Sequence, residues 1–225
     1  MLVNDFGVSE KRITVVNNGI YTEDFTPLTE EEKEKLCKEY HCEGKYVIGL
    51  LARVSYVKGH MYLLQAVDRL QREYQIKDLK ILIAGRVHVD EEKKYLDDLL
   101  EFSRVNKIDV EYLGFRKPRE VFGVCDVYVL PSIYEGFALT ALESLAMACP
   151  VIRSDTPGWS DMKDFTLVFP KKDVNSLFDH LKNVYEHRDT FVECGRKGQK
   201  IVFNQFTIEK QVNQTVDVYK SITGK

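Results

Sequence analysis

The chain has 225 residues, 44% hydrophobic and 30% charged, with a formal net charge of −3 and a pI near 6.0. That length can bury a sizeable core, those fractions exclude a disordered or fibrous chain, and the charge balance argues against a nucleic-acid partner. No run of about 18 apolar residues suggests a transmembrane helix, MLVNDFGVSEKR lacks the order of a secretory signal, and five cysteines without a C-x-x-C pair predict reduced thiols in a cytoplasmic setting.

In chain order, residues 13–17 (ITVVN) predict a short strand, followed by the turn signal Asn18-Gly19. Thr29 opens an acidic run predicted helical to about Tyr40, with Thr29 and Glu32 at capping-box spacing. Lys45 to Ala52 (KYVIGLLA) is a nearly unbroken apolar run, which marks a strand covered on both faces. After the loop RVSYVKG, apolar residues at 63, 64, 67, 70 and 74 predict a helix over 61–74. The unit then repeats. Strands are predicted at 79–84 and 110–113, ending at Gly85 and Gly114, with an amphipathic helix over 91–105 between them. A short helix over 119–124 leads to a strand at 126–130, a loop from Pro131 to Gly136, a helix over 139–148 and a strand at Val151. A last strand at 166–169 precedes helices at about 173–186, 189–203 and 207–222. Strands alternating with helices imply an α/β fold with a Rossmann-like doubly wound parallel sheet. Residues 1–225 are taken as one domain.

Ligands of such sheets lie at the carboxyl ends of the strands. Four features fall there: Arg53 with Lys58, Gly85-Arg86, Gly114 to Lys117, and Glu135 to Phe137. Two cations facing a helix N-terminus would hold a diphosphate by charge-assisted hydrogen bonds, although Arg53 and Lys58 also fit plain loop charges. The helix over 139–148 is apolar nearly all round, and Glu143 is its one charge. A carboxylate there must reach an exposed edge or find donors. Glu135 stands eight residues earlier, before the backbone N–H groups of Gly136 and Phe137, a place where anions are favoured.

The ordered series R-x4-K-G, I-A-G, L-G-F, E-G-F-A-L-T-A-L-E and S-L-A-M-A-C-P-V-I resembles the group 1 glycosyltransferases. An E-x7-E pair alone would carry little weight among 35 acidic residues; the specificity lies in the full order. The resemblance implies the donor-binding, C-terminal half of a retaining, nucleotide-sugar-dependent GT-B enzyme, with 1–12 a remnant of the interdomain link and 205–225 a helix returning toward an N-terminal half. It implies that Arg53 and Lys58 neutralise the donor diphosphate, that Glu135 lies by the donor sugar, and that Glu143 accepts from the ribose hydroxyls. Gly136, Phe137 and Ala138 would offer backbone N–H groups, with Gly85, Leu139 and Thr140 close by and Arg116 near the base. Arg53, Lys58 and Glu135 are the expected catalytic residues. The implied donor is a UDP-, GDP- or ADP-linked sugar. The implied acceptor is a carbohydrate or lipid-linked molecule, bound with any membrane attachment through the other half.

No D-x-D motif suggests a metal, and no further cofactor is expected. The sequence departs from the family at Ala52, where Gly is usual. It departs again at Pro157-Gly158-Trp159-Ser160-Asp161, where G-G-x-x-E is usual, so contacts from that loop are in doubt. Without an acceptor half, this length of chain is expected to bind nucleotide without full turnover. A non-catalytic nucleotide-binding subunit and a sugar-nucleotide epimerase or phosphorylase of similar architecture remain alternatives. A dehydrogenase does not fit, since no G-x-G-x-x-G follows a predicted strand.

Overall fold

The computed structural model describes residues 2–158, 160 and 162–224; Trp159 and Asp161, two residues of the departing loop, lie outside them. The chain runs α1 (Leu2–Phe6), α2 (Glu30–Glu39), β1 (Tyr46–Leu51), α3 (His60–Tyr74), β2 (Leu79–Ala84), α4 (Asp90–Val105), β3 (Val110–Gly114) and α5 (Pro118–Phe122). It continues through β4 (Val127–Leu130), α6 (Leu139–Ala146), β5 (Val151–Ser154), β6 (Leu167–Phe169), α7 (Val174–Glu186), α8 (Arg188–Gln205) and α9 (Ile208–Thr223).

The six strands form one sheet in the order β3-β2-β1-β4-β5-β6, every pair parallel. Strand order reverses between β1 and β4, which opens a crevice at the carboxyl ends there. All residues of β1, β2 and β4 are buried, as their nearly continuous apolar runs predict; the one charge, Lys80 in β2, is paired with Asp109 and Glu111. Alternation sends Val47 and Leu51 into the layer with α6, and Ile48 and Leu50 into the layer with α3 and α7. Each such side chain contributes about 1.5–3 kcal/mol of transfer free energy, so the sheet is the stable base on which the loops stand.

Two expectations are corrected. Residues 13–17 form no strand, and pairing begins only at an isolated bridge between Ile20 and Thr207. Their apolar side chains fit a strand pattern, but Val15 is 78% exposed and the segment pairs with no strand of the sheet among the described residues. Helix α6 ends at Ala146, because Ala148 takes φ 58°. The Cys149 N–H then closes onto Ser144 O at 3.0 Å.

Candidate functional site

The loops above β1 and β4 are locked to each other before any functional group is considered. Gly59 takes φ 73°, and a Cβ there would sit 1.9 Å from Pro131 O, so only glycine lets the two loops meet. Ile133 N–H donates to Val57 O at 2.8 Å, and Ser154 Oγ on β5 donates to Ser132 O at 2.6 Å. On the other side of β1, a Cβ on Gly85 would lie 1.8 Å from Ala52 O, so the β2 exit also needs glycine to pass the β1 exit.

This scaffold sets the two cations apart in environment. Lys58 Nζ donates to Glu135 Oε1 at 2.6 Å, and the buried Ser132 Oγ donates to the same oxygen at 2.8 Å. Glu135, 11% exposed along its side chain, is therefore a held group and not a solvated loop acid. Arg53 extends into a cleft of about 320 Å³ over the ends of β1, β2 and β3, whose lining includes Gly85, Arg86, Phe115, Arg116, Thr140 and Glu143. Its guanidinium Nε lies 3.2 Å from Glu92 Oε1. Arg86 stacks on the Phe115 ring at 4.4 Å from the centroid, and Arg116 pairs loosely with Glu39 at 3.7 Å.

Glu143 stands on α6 between the buried Leu142 and Ser144, on the side of the helix that lines the cleft. Burial lifts its carboxyl from 4.5 to about 6. It lines both the Arg53 cleft and an adjoining hollow of about 610 Å³ bounded by Leu139, Lys117 and the 19–25 segment. The first turn of α6 is fixed through Thr140, whose hydroxyl lies 2.7 Å from Tyr128 OH, which in turn donates to Leu51 O at 3.1 Å. With the Tyr128 proton committed to Leu51, Thr140 is the donor of the pair.

The structure thus brings Arg53, Gly85, Arg116, Thr140 and Glu143 to one cleft, with Leu139 in the hollow beside it. Lys58 and Glu135 line neither; they meet each other. Gly136, Phe137 and Ala138 precede α6, whose first residue is Leu139, so their N–H groups lead into the helix and are not within its first turn. The helix starts late because Ala138 holds ψ 81°, outside the helical range. Among the described residues none of these three N–H groups has a partner. Gly158 approaches Gly136 O, with 3.1 Å available to a Cβ, so the departing loop does pack against this segment. Sequence reasoning missed Glu92, whose only signal was its place among three acids in the first turn of α4. It also missed Tyr128 and Ser132, which read simply as parts of a strand and its exit. Among the described residues no group of three or more His, Cys, Asp or Glu is placed to hold a metal, and no helix is long and apolar enough to cross a membrane.

Comparison with known proteins bears on this arrangement. The family model for glycosyl transferases group 1 matches residues 45–187. A glycosyltransferase of Methanocaldococcus jannaschii, itself uncharacterized, is 27% identical over 96% of this chain and 55% of its own length. Among solved structures, a Rickettsia africae glycosyltransferase superposes with a TM-score of 0.90 at 21% identity, covering 98% of this chain and 60% of that one. Anabaena HepE in complex with UDP and glucose superposes at 0.87 with 18% identity, over 96% and 59% of the two chains. A C-terminal domain of a Francisella tularensis group 1 glycosyltransferase is covered end to end, at 0.74, 21% identity and 84% of this chain. The chain therefore spans between 55% and 60% of the length of the Methanocaldococcus, Rickettsia and Anabaena proteins. Sequence and fold agree: the chain belongs to the group 1 glycosyltransferases, and its sheet is that of the C-terminal domain of their GT-B fold.

Proposed function

We propose that this chain is the donor-binding part of a retaining glycosyltransferase, taking a sugar from a nucleoside diphosphate for transfer to a glycan or lipid-linked acceptor. The observation that carries the reading is the convergence of Arg53, Gly85, Arg116, Thr140 and Glu143 on one cleft at the carboxyl ends of β1–β3. HepE, of the same fold, holds UDP and glucose, which supports a nucleotide-sugar ligand.

In this reading the ribose hydroxyls donate to Glu143 and the base lies toward Arg116. The diphosphate meets Arg53, Lys58 and the N–H groups of Gly136 to Ala138. As the sugar–phosphate bond breaks, negative charge gathers on the diphosphate and positive charge on the sugar. Cations and amides already aimed at the leaving group lower that barrier without reorganising. Glu135, held by Ser132 and Lys58, faces the sugar side and offers its second carboxylate oxygen to hydroxyls. Lys58 is shared between this acid and the diphosphate.

The test is a thermal-shift panel of UDP, GDP, ADP and their sugars. A ligand that binds only the folded chain at about 100 times its dissociation constant stabilises by about 2.7 kcal/mol. One nucleotide class should raise the melting temperature clearly, and Glu143→Ala should abolish the rise. Glu135→Ala should spare the free nucleotide and weaken only the sugar-bearing ligand. No response to any member of the panel rules the reading out.

A further inference from the structure

Glu92 is one of three acids in the first turn of α4, but its surroundings set it apart from the other two. Its side chain is only 10% exposed, whereas that of Arg53 is 54% exposed. Both carboxylate oxygens are occupied. Oε1 lies 3.2 Å from Arg53 Nε, and Oε2 accepts from the His88 N–H at 2.7 Å. A carboxylate this far from water persists only where it is paired, and this one joins the β1 exit to the loop after β2. That loop supplies Gly85, Arg86 and His88 to the cleft wall.

We propose that Glu92 is a positioning residue that decides which edge of the Arg53 guanidinium faces the ligand; this rests on the nucleoside diphosphate reading above. With Nε paired to Glu92, the two Nη groups of Arg53 are left for the ligand, a planar two-pronged donor that matches two oxygens of a phosphate. The second oxygen of Glu92 keeps the 85–89 loop in register with that donor. Glu92 touches no ligand in this arrangement; it acts through Arg53 and His88.

A purely electrostatic role predicts the opposite result. Removing a negative charge beside an anion site strengthens anion binding, whereas losing the anchor of Arg53 weakens it. The direction of change therefore separates the two. Calorimetric titration at neutral pH with the diphosphate selected by the panel, and with its nucleoside, is compared for the wild-type chain, Glu92→Gln, Arg53→Ala and the double variant. Glu92→Gln keeps the side-chain volume and an acceptor for the His88 N–H, and melting curves confirm that each variant is folded. We expect Glu92→Gln to weaken the diphosphate about fivefold, the upper scale of a partly exposed ion pair. It should leave the nucleoside unchanged and add nothing in the Arg53→Ala background. Unchanged or tighter diphosphate binding by Glu92→Gln, with Arg53→Ala weakened, overturns the proposal. So does a Glu92→Gln loss that persists in full without Arg53. If the wild-type chain binds no diphosphate, or Arg53→Ala binds as the wild type does, the diphosphate reading itself fails and the assignment falls with it.

Discussion

In the proposed ribose-binding role, Glu143 sets stability against binding. Its carboxyl is raised from 4.5 to about 6 by burial, so in the folded chain the charged form is the disfavoured one. A folded value above the unfolded one gives stability that is complete below pH 4.5 and lost as pH rises through 6, at a cost of about 1–2 kcal/mol at neutral pH. Glu143→Gln should therefore raise the melting temperature of the free chain in mildly alkaline buffer. Hydroxyl donors need the ionised carboxylate, so nucleotide affinity should climb up to about tenfold between roughly pH 5 and pH 7. Glu143→Gln should flatten that profile; a wild-type affinity independent of pH counts against the ribose contact. His60 has the reverse sign. It is fully buried, no well-formed hydrogen bond reaches its ring nitrogens among the described residues, and desolvation, opposed in part by the Ser55 backbone, lowers it from 6.5 to about 3. Its stability contribution is present above pH 6.5 and falls as pH drops toward 3, by about 2 kcal/mol between roughly pH 7 and pH 5. His60→Leu should remove that acid sensitivity, read as denaturation midpoints in urea at the two pH values.

Elements in this fold are set by a few residues at their ends. Helix α2 begins at a capping box in which Thr29 Oγ1 accepts from Glu32 N–H at 3.1 Å and Glu32 Oε2 accepts from Thr29 N–H at 2.9 Å. Arg119 adds two bonds to the Glu32 carboxylate from α5, which with the cap holds that acid down to about 2. The capping spacing was visible in T-x-x-E; the Arg119 clamp, 87 residues away, was not. Thr29→Ala should cost about 1 kcal/mol in chemical denaturation. The strand exits are less forgiving. Gly85→Ala drives a methyl group into Ala52 O just past the β1–β2 pairing, where the Ala52 N–H is bonded to Ala84 O and the Gly85 N–H to Gly114 O. It should destabilise the chain and abolish nucleotide binding together, while Gly44→Ala, where nothing lies within 4 Å, should leave the cleft intact at a modest strain from φ 68°.

For the molecule as a whole, protection follows burial. Strands β1, β2 and β4 lie wholly inside, whereas α9 has no buried residue and leaves Val212, Val216, Tyr219 and Ile222 exposed along one stripe. Backbone hydrogen exchange should be slowest in those strands and fast through α9, whose anchor is the Ile20–Thr207 bridge with the Gly19 N–H to Gln211 contact of 2.7 Å. Equal protection in α9 and β1 would contradict this picture. From about residue 29 onward the sequence alone determined the strand and helix series, the parallel sheet and the family, because buried strands read as mostly apolar runs and loop glycines sit between them. It also named Arg53 and Glu143, whose charges stand out against apolar neighbours. Only the tertiary structure decided that Lys58 faces Glu135 and lies outside the Arg53 cleft, that Glu92 pairs with Arg53, and that residues 13–17 join no strand. Those outcomes depend on distances between segments tens of residues apart, and a periodic pattern along the chain carries no information about which charges meet across a crevice.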